Sequence, residues 1–326
     1  MRAAYIQELG PPGNIRFGEL PAPVPGPDDV LVDVVVATVN HVDTFVRSGA
    51  WRTPLEFPFV VGRDLAGTVA AAGPGVAGFR PGDRVWSSSL GHAGRQGAAA
   101  EQAVVPVDRL YHLPGGVRPE DAVAVAHPAS TAYLALFTHG RLRAGETVVV
   151  VGAGGNVGAA TVVLAVAAGA RVVATASAAD ADYCRSIGAA EVLDYRDPDL
   201  AGRLHAACPE GVDLYVDTAG ANDVEGAVEL LARRGRLVLL AGLRTRRTLP
   251  VGALYLKDCT IAGFAISQAG VGELAEAAVA VNRMLAEGRL RPRSVEILSL
   301  SAMAEAHRRV EAGEAHGRRL VLCTGR

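Results

Sequence analysis

Lysine is almost missing from this chain: Lys257 is the only one in 326 residues, and arginine carries nearly all the positive charge. Acidic and basic residues are interspersed and sum to a formal net charge of −2. That leaves no basic footprint for nucleic acid and none for an anionic membrane surface. Cysteine is scarce too. The four, at 184, 208, 259 and 323, lie far apart and form no Cys-x-x-Cys pair. This excludes a cysteine zinc cluster or a disulfide framework and reads as thiols of a reducing cytoplasm. No apolar run reaches the ~20 residues of a transmembrane helix; Ala159–Ala168 is about half that and ends at glycine. The opening Met1-Arg2-Ala3-Ala4-Tyr5-Ile6-Gln7-Glu8 lacks the apolar stretch of a signal peptide. What the chain has in quantity is small and apolar. Half its residues are hydrophobic, 38 are glycine, and no tract is of low complexity, so it reads as a compact globular protein of about two domains.

The most informative stretch runs from Glu146 to Ser177. Val148–Val151 is a β-branched run that stops at a glycine cluster, as a buried parallel strand does. Gly152, Gly154, Gly155 and Gly158, with Asn156 and Val157 between them, permit a tight turn and close approach of a ligand to the backbone. Ala159–Ala168 is apolar nearly all round, which suits a helix packed on a sheet, and Arg171–Thr175 supplies a second strand. Strand, glycine turn and helix N-terminus together make an anion site, with free N–H groups and the helix dipole aimed at a pyrophosphate. A glycine turn without a ligand and a methyl-donor site are the competing readings. The strand-before, helix-after context favours a dinucleotide.

On either side of that stretch the pattern changes. Pro21-Ala-Pro-Val-Pro-Gly-Pro reads as a rigid connector. Strand signals at Val30–Asn40, Leu65–Ala72, Arg84–Ser87 and Gln102–Pro106, broken by Gly73-Pro-Gly and Pro81-Gly-Asp, predict a small β-barrel-like domain. Helical patterns at Asp121–Ala126 and Thr131–Thr138 lead into Val148. After Ser177 come helix Ala181–Ile187, strand Glu191–Leu193, helix Pro198–Ala207, strand Asp213–Asp217, helix Val224–Leu231 and strand Arg236–Leu240. Such alternation predicts a doubly wound parallel sheet, with ligands at the strand carboxyl ends near Gly152–Gly158, Thr218–Gly220 and Ala241–Leu243. Glu273–Glu287 is an amphipathic helix, a second helix capped by Ser301 runs to Ala312, and Arg319–Cys323 is a closing strand that returns to the first domain.

Seven motifs, spread along nearly the whole chain, carry a resemblance. They are Asn40-His-Val-Asp-Thr-Phe-Val-Arg-Ser-Gly, Gly62-Arg-Asp-Leu-Ala-Gly, Gly82-Asp-Arg-Val, Thr131-Ala-Tyr, Gly152-Ala-Gly-Gly-Asn-Val-Gly, Gly235-Arg-Leu-Val and Glu305-Ala-His. In this order they resemble the medium-chain dehydrogenase/reductase superfamily, specifically its zinc-free quinone oxidoreductase branch that includes ζ-crystallin. The resemblance implies an α/β protein: a GroES-like β-rich catalytic domain (1–122 and 262–326) and a doubly wound Rossmann domain (123–261). It implies a homodimer and a cleft where nicotinamide meets a small-molecule substrate, with Asn40, Asp43 and Arg63 as candidate catalytic residues. Cofactor-binding residues implied are Thr131, Gly152, Gly154, Gly155, Asn156, Val157, Gly158, Ser177, Tyr195 and Gly242.

Zinc-dependent relatives carry a cysteine where this chain has Asn40, and His-Glu where it has Arg63-Asp64. A neutral amide and a guanidinium do not ligate zinc, so the expected metal content is none, although His41, Asp43, Asp64 and His127 are donor-type residues. Without a Lewis acid, alkoxide formation from a simple alcohol is unaided, whereas hydride delivery to a quinone or an activated C=C needs only a hydrogen-bond donor at the developing oxyanion. The expected acceptor is therefore quinone-like, with enone or alkenal double-bond reduction and a non-catalytic NADPH-binding role as alternatives. Three residues also have plainer readings: Asn40 as a strand-ending turn residue, Asp43 as a cap or salt-bridge partner, and Arg63 in an ion pair. Phe45 stands where many relatives have tyrosine, which removes a phenolic donor. At the end of the second strand, Thr175-Ala176-Ser177 offers no carboxylate to repel a 2′-phosphate. NADPH is expected, with NADH possible: Ser177 and Tyr195 match the family's set, while Asp180 falls at its lysine position and Arg185 or Arg196 is left to compensate.

Overall fold

The computed structural model of the chain describes residues 1–325. Two compact units emerge, Met1–His127 with Gly270–Arg326 and, between them in sequence, Pro128–Ala269.

The first unit is rich in strands: β1 (Arg2–Ile6), β2 (Arg16–Glu19) and β3 (Asp29–Thr38), then, after helix α1 (His41–Ser48), β4 (Phe59–Val60), β5 (Leu65–Ala72), β6 (Arg84–Ser87), β7 (Gln102–Pro106) and β8 (Tyr111–His112). Strand β3 is its axis. Val30, Val32, Val34 and Val36 alternate inward with essentially no exposure, as a half-buried strand with period two requires. Val30, Val32 and Val34 pack with Leu65, Val69, Val85 and Val105. Strand β3 ends at Thr38, short of the expected Asn40, because Asn40 opens α1, a short helix that was not expected at His41–Ser48. The Asn40 N–H donates to Asp43 Oδ2 at 2.7 Å, half of a reciprocal capping box.

Helix α2 (Pro119–Tyr133) carries the chain into the second unit. It is one helix with Pro128 inside it, followed by a π-helical turn at Leu134–His139, where two helical stretches were expected. The second unit then alternates β9 (Thr147–Val151), α3 (Asn156–Ala167), β10 (Arg171–Ala176), α4 (Ala181–Ser186), β11 (Glu191–Asp194), α5 (Leu200–Ala207), β12 (Val212–Asp217), α6 (Val224–Leu230) and β13 (Leu231–Leu239). It continues past the last expected strand with α7 (Val251–Leu256) and β14 (Thr260–Gly263). All six strands are parallel, in the order β11-β10-β9-β12-β13-β14. The chain steps outward from β9 through β10 to β11 and then crosses back to β12 on the other side of β9, so β9 stands at the switch point where such sheets bind ligands.

The chain then returns to the first unit with α8 (Val271–Ala286), β15 (Val295–Ser299), α9 (Met303–Glu311) and β16 (Arg319–Cys323). Ser301 sits in a short 3-10 turn before α9, and Ser299 is the residue whose hydroxyl accepts the turn's N–H. Strand β16 lies antiparallel beside β3, with Leu322 opposite Ala37. That pairing sets the far end of the chain against Thr38–Asn40. Among the described residues no helix is long and apolar enough to cross a membrane.

Candidate functional site

In the second unit, β9 gives way to the glycine turn at its carboxyl end. Gly152 has φ +79°, a left-handed conformation that glycine adopts without strain. The Gly152 and Ala153 N–H groups donate to Thr175 O at 3.1 and 3.0 Å, which locks the turn to β10. A Cβ on Gly158 would lie 2.1 Å from Gly152 O; only glycine lets α3 start this close to the strand. Gly155 is the helix N-cap and Asn156 the first residue of α3, so the leading N–H groups of Asn156–Gly158 are those a helix leaves without internal partners. The cradle fits a pyrophosphate in backbone shape and in sign of charge.

The neighbouring strands end on the same rim. Thr218 binds back to Val151 O through both its N–H (3.1 Å) and its hydroxyl (2.6 Å). Asp217, missed by sequence reasoning, accepts the N–H groups of Ala219 (2.9 Å), Gly220 (2.8 Å) and Asn222, and so folds the loop after β12. Asn222 Nδ2 bridges to Gly220 O and Ala241 O, each at 3.2 Å, and a Cβ on Gly242 would collide with it at 2.0 Å. The rim beyond β10 and β11 holds the expected discriminating residues. Ser177 Oγ donates to Asp180 Oδ2 at 2.7 Å, and that carboxylate lies against Gly154. Tyr195 is tied to the β10 end through its N–H to Ala176 O (3.1 Å), and the Arg196 guanidinium lies 5.0 Å over its half-exposed ring. Arg185 is taken up by Asp182 at 2.8 Å. Thr131 is buried on α2.

The first unit gathers Asn40, Asp43 and Arg63 in one buried polar centre, together with Asp64, His92, His127 and Arg319. Strand pairing and the α1 capping box put them there. Asn40 Nδ2 donates to Asp64 Oδ2 at 2.9 Å, and Asn40 Oδ1 accepts from Arg319 Nη2 at 3.0 Å. Arg319 Nη2 also reaches Thr38 Oγ1 at 3.1 Å. Arg63 Nε stands 3.6 Å from Asp43 Oδ1, an ion pair, and Arg63 Nη1 is 3.4 Å from His92 Nδ1. His127 Nδ1 faces Asp64 Oδ1 at 3.7 Å. The plainer readings of Asp43 as a cap and of Arg63 as an ion-pair partner therefore hold within the same cluster. His41 is on the exposed side of α1.

Burial sets the protonation of this centre. The Asp43 carboxyl is pushed up to about 6 by desolvation, against the pull of Arg63 and the Asn40 hydrogen bonds. Asp64 rises to about 7 through desolvation and the charge of Asp43, against Asn40, Arg319 and Arg63. His127 is held well below its ordinary value by burial and by the two guanidinia, so it is a neutral imidazole and its contact with Asp64 is not an ion pair. The centre thus offers fixed cationic N–H donors, an amide, and carboxyls poised near neutrality. Arg319 carried no sequence signal, since it lies 279 residues from Asn40 and in a strand that reads only as apolar.

Comparison with known proteins gives two families and a consistent set of relatives. Residues 26–115 match the family described as alcohol dehydrogenase GroES-like domain, and residues 156–282 the one described as zinc-binding dehydrogenase. The chain is 29% identical to a quinone oxidoreductase of Mus musculus over 327 residues, covering 99% of this chain and 97% of that protein. A solved NAD-dependent alcohol dehydrogenase superposes with TM-score 0.89 at 32% identity, with both chains fully covered. A mycobacterial protein solved in complex with NADPH superposes with TM-score 0.85 at 28% identity, over 99% of this chain and 100% of that one.

Proposed function

The chain belongs to the medium-chain dehydrogenase/reductase superfamily, in its quinone oxidoreductase branch, and is an oxidoreductase; from that premise we propose that it transfers hydride from NADPH to a quinone-like conjugated carbonyl acceptor without a metal. The observation that carries this reading is the composition of the buried polar centre. Its positive charge is on guanidinium groups and its Asn40 is a neutral amide, so it stabilises an oxygen that gains charge but cannot take an alkoxide as a metal does. A conjugated acceptor asks for no more than that.

NADPH, when bound, supplies the hydride and with it both electrons. The chain's own residues do the rest. The N–H groups at the start of α3 hold the pyrophosphate, and Gly152 and Gly158 let the turn fold and α3 start close against β9. Ser177, Tyr195 and Arg196 support the choice of NADPH: a hydroxyl, a ring and a cation lie at the ends of β10 and β11, where an adenosine 2′-phosphate is read in this fold. Arg196 takes the part of the lysine that Asp180 displaces. In the first unit Asn40 and Asp43 hold Arg63 and Arg319 in place, and the cluster orients the acceptor oxygen.

The test is NADPH oxidation with 1,4-benzoquinone, 9,10-phenanthrenequinone and an enone, repeated with NADH and with a chelator. We expect rapid, chelator-insensitive turnover with at least one quinone and a preference for NADPH. Turnover confined to the enone moves the acceptor class to activated double bonds. Measurable NADPH binding with no turnover on any acceptor defeats the proposal.

A further inference from the structure

The zinc-bearing members of this fold hold their metal at positions that here are Asn40, Arg63-Asp64 and His127, and these residues do not fit a metal. Both ends of the Asn40 amide are engaged, Nδ2 donating to Asp64 and Oδ1 accepting from Arg319. Arg63 has no lone pair to give. It also brings a full positive charge into the donor set, which repels a second cation at short range. Among the described residues no group of three or more His, Cys, Asp and Glu is placed to hold a metal ion.

Arg63 is itself unusual. The residue is 1% exposed, yet its Nε and Nη2 make no hydrogen bond. Its counter-charge, Asp43, stands at 3.6 Å, beyond hydrogen-bond length, and its Nη1 meets only the long 3.4 Å contact with His92. Arg319, by contrast, donates from both Nη atoms, to Asn40, Thr38 and the Val39 carbonyl. A buried cation with donors to spare is costly in desolvation. Charged N–H groups held in that state match an oxygen that becomes anionic only as reaction proceeds, because they need no reorganisation to meet it.

The structure assigns to the Arg63 guanidinium the place and the charge of the missing metal: a built-in cation that excludes zinc and receives the acceptor's oxyanion on its unoccupied Nη2. In the reaction, hydride adds to the acceptor with two electrons, and the C=O or C=C π pair moves onto the acceptor oxygen. Arg63 donates a hydrogen bond to that oxygen without giving up its proton. The proton that completes the product comes from water. The catalytic half of this inference rests on the reading of the acceptor as a conjugated carbonyl; the metal half does not.

Two measurements on the full chain test it. In the first, wild type and the Asn40→Cys/Arg63→His double variant are incubated with Co²⁺, desalted, and assayed for bound cobalt by elemental analysis and visible absorption. Wild type is expected to retain none. The double variant is expected to retain one equivalent, with the bands of a four-coordinate, thiolate-ligated ion, because His127 and Asp64 complete the set. Wild type that retains one equivalent and loses it on His127→Ala overturns the inference, as does a folded, NADPH-binding double variant that takes up none. In the second, Arg63→Met and Arg63→Lys are compared. Loss of the cation in Arg63→Met lowers kcat by about 10²–10³-fold, with KM for NADPH unchanged, and Arg63→Lys recovers part of that loss. Arg63→Met turning over at the wild-type rate overturns it. Cobalt exclusion by wild type alongside inactivity on every quinone leaves the metal half standing and removes the acceptor reading alone.

Discussion

Arg196 shows how far one residue can be read. Sequence alone offered Arg185 and Arg196 equally as a cation for a 2′-phosphate, both near the end of the second Rossmann strand. The structure separates them: Arg185 pairs with Asp182, whereas the exposed Arg196 lies over the Tyr195 ring. Stacking lowers the entropy lost when a guanidinium is fixed on a phosphate. Against it stands Asp180, whose carboxylate is buried under Gly154 and satisfied by Ser177 rather than turned toward the rim. We therefore expect Arg196→Ala to raise KM for NADPH about tenfold, the loss of one charged hydrogen bond of ~1.4 kcal/mol, and to leave KM for NADH within twofold. Steady-state kinetics with both cofactors checks this; equal effects on the two sink the assignment.

At the scale of elements, legibility followed periodicity. Leu65–Ala72, Arg84–Ser87, Gln102–Pro106 and Arg319–Cys323 were readable to the residue because alternation and turn residues bound them on both sides. Helix α1 was not, because only Val42, Phe45 and Val46 of its eight residues are apolar, too short a pattern to stand out, and its start is written only in the Asn40–Asp43 capping box, which also looks like a pair of site residues. Strand β14 and helix α7 were missed for a different reason: after Gly242 the sequence Leu243–Pro250 is polar and arginine-rich, and no pattern announces the short pieces beyond it. The glycine turn was legible because its requirement is steric. Gly158 meets Gly152 O at 2.1 Å from any added Cβ, so Gly158→Ala must push α3 off β9. We expect the variant to fold with a loss of roughly 1–3 kcal/mol and to bind NADPH at least tenfold more weakly. Chemical denaturation and fluorescence titration measure the two effects, and unchanged binding would show that the turn is not the phosphate cradle.

Across the whole molecule, the buried ionisable groups compete, and their sum sets the pH dependence of stability. The two carboxyls of the polar centre are raised, Asp43 to about 6 and Asp64 to about 7. Each therefore binds a proton more readily in the folded chain than in the unfolded one, and its contribution is fully present below about pH 4 and lost as pH climbs through the folded value. Two buried histidines act in the opposite sense. His307, buried near Arg47 with no partner for either ring nitrogen, is pushed down to about 3, and His127 is lowered as well. They are neutral when folded and protonated when unfolded, so they add stability as pH rises toward about 6.5. The opposing slopes offset one another in part between about pH 4 and 6. Stability then falls from about pH 6.5 to 8, as the unfolded histidines cease to contribute and Asp64 must ionise while buried beside Asp43. Asp64→Asn removes that last term while keeping an acceptor for the Asn40 amide. Its stability relative to wild type is thus expected to improve steadily from pH 5 to pH 8, read by urea denaturation at each pH. A stability difference that is flat across that range would mean that Asp64 is ionised throughout, and that the guanidinia of Arg63 and Arg319 outweigh its burial.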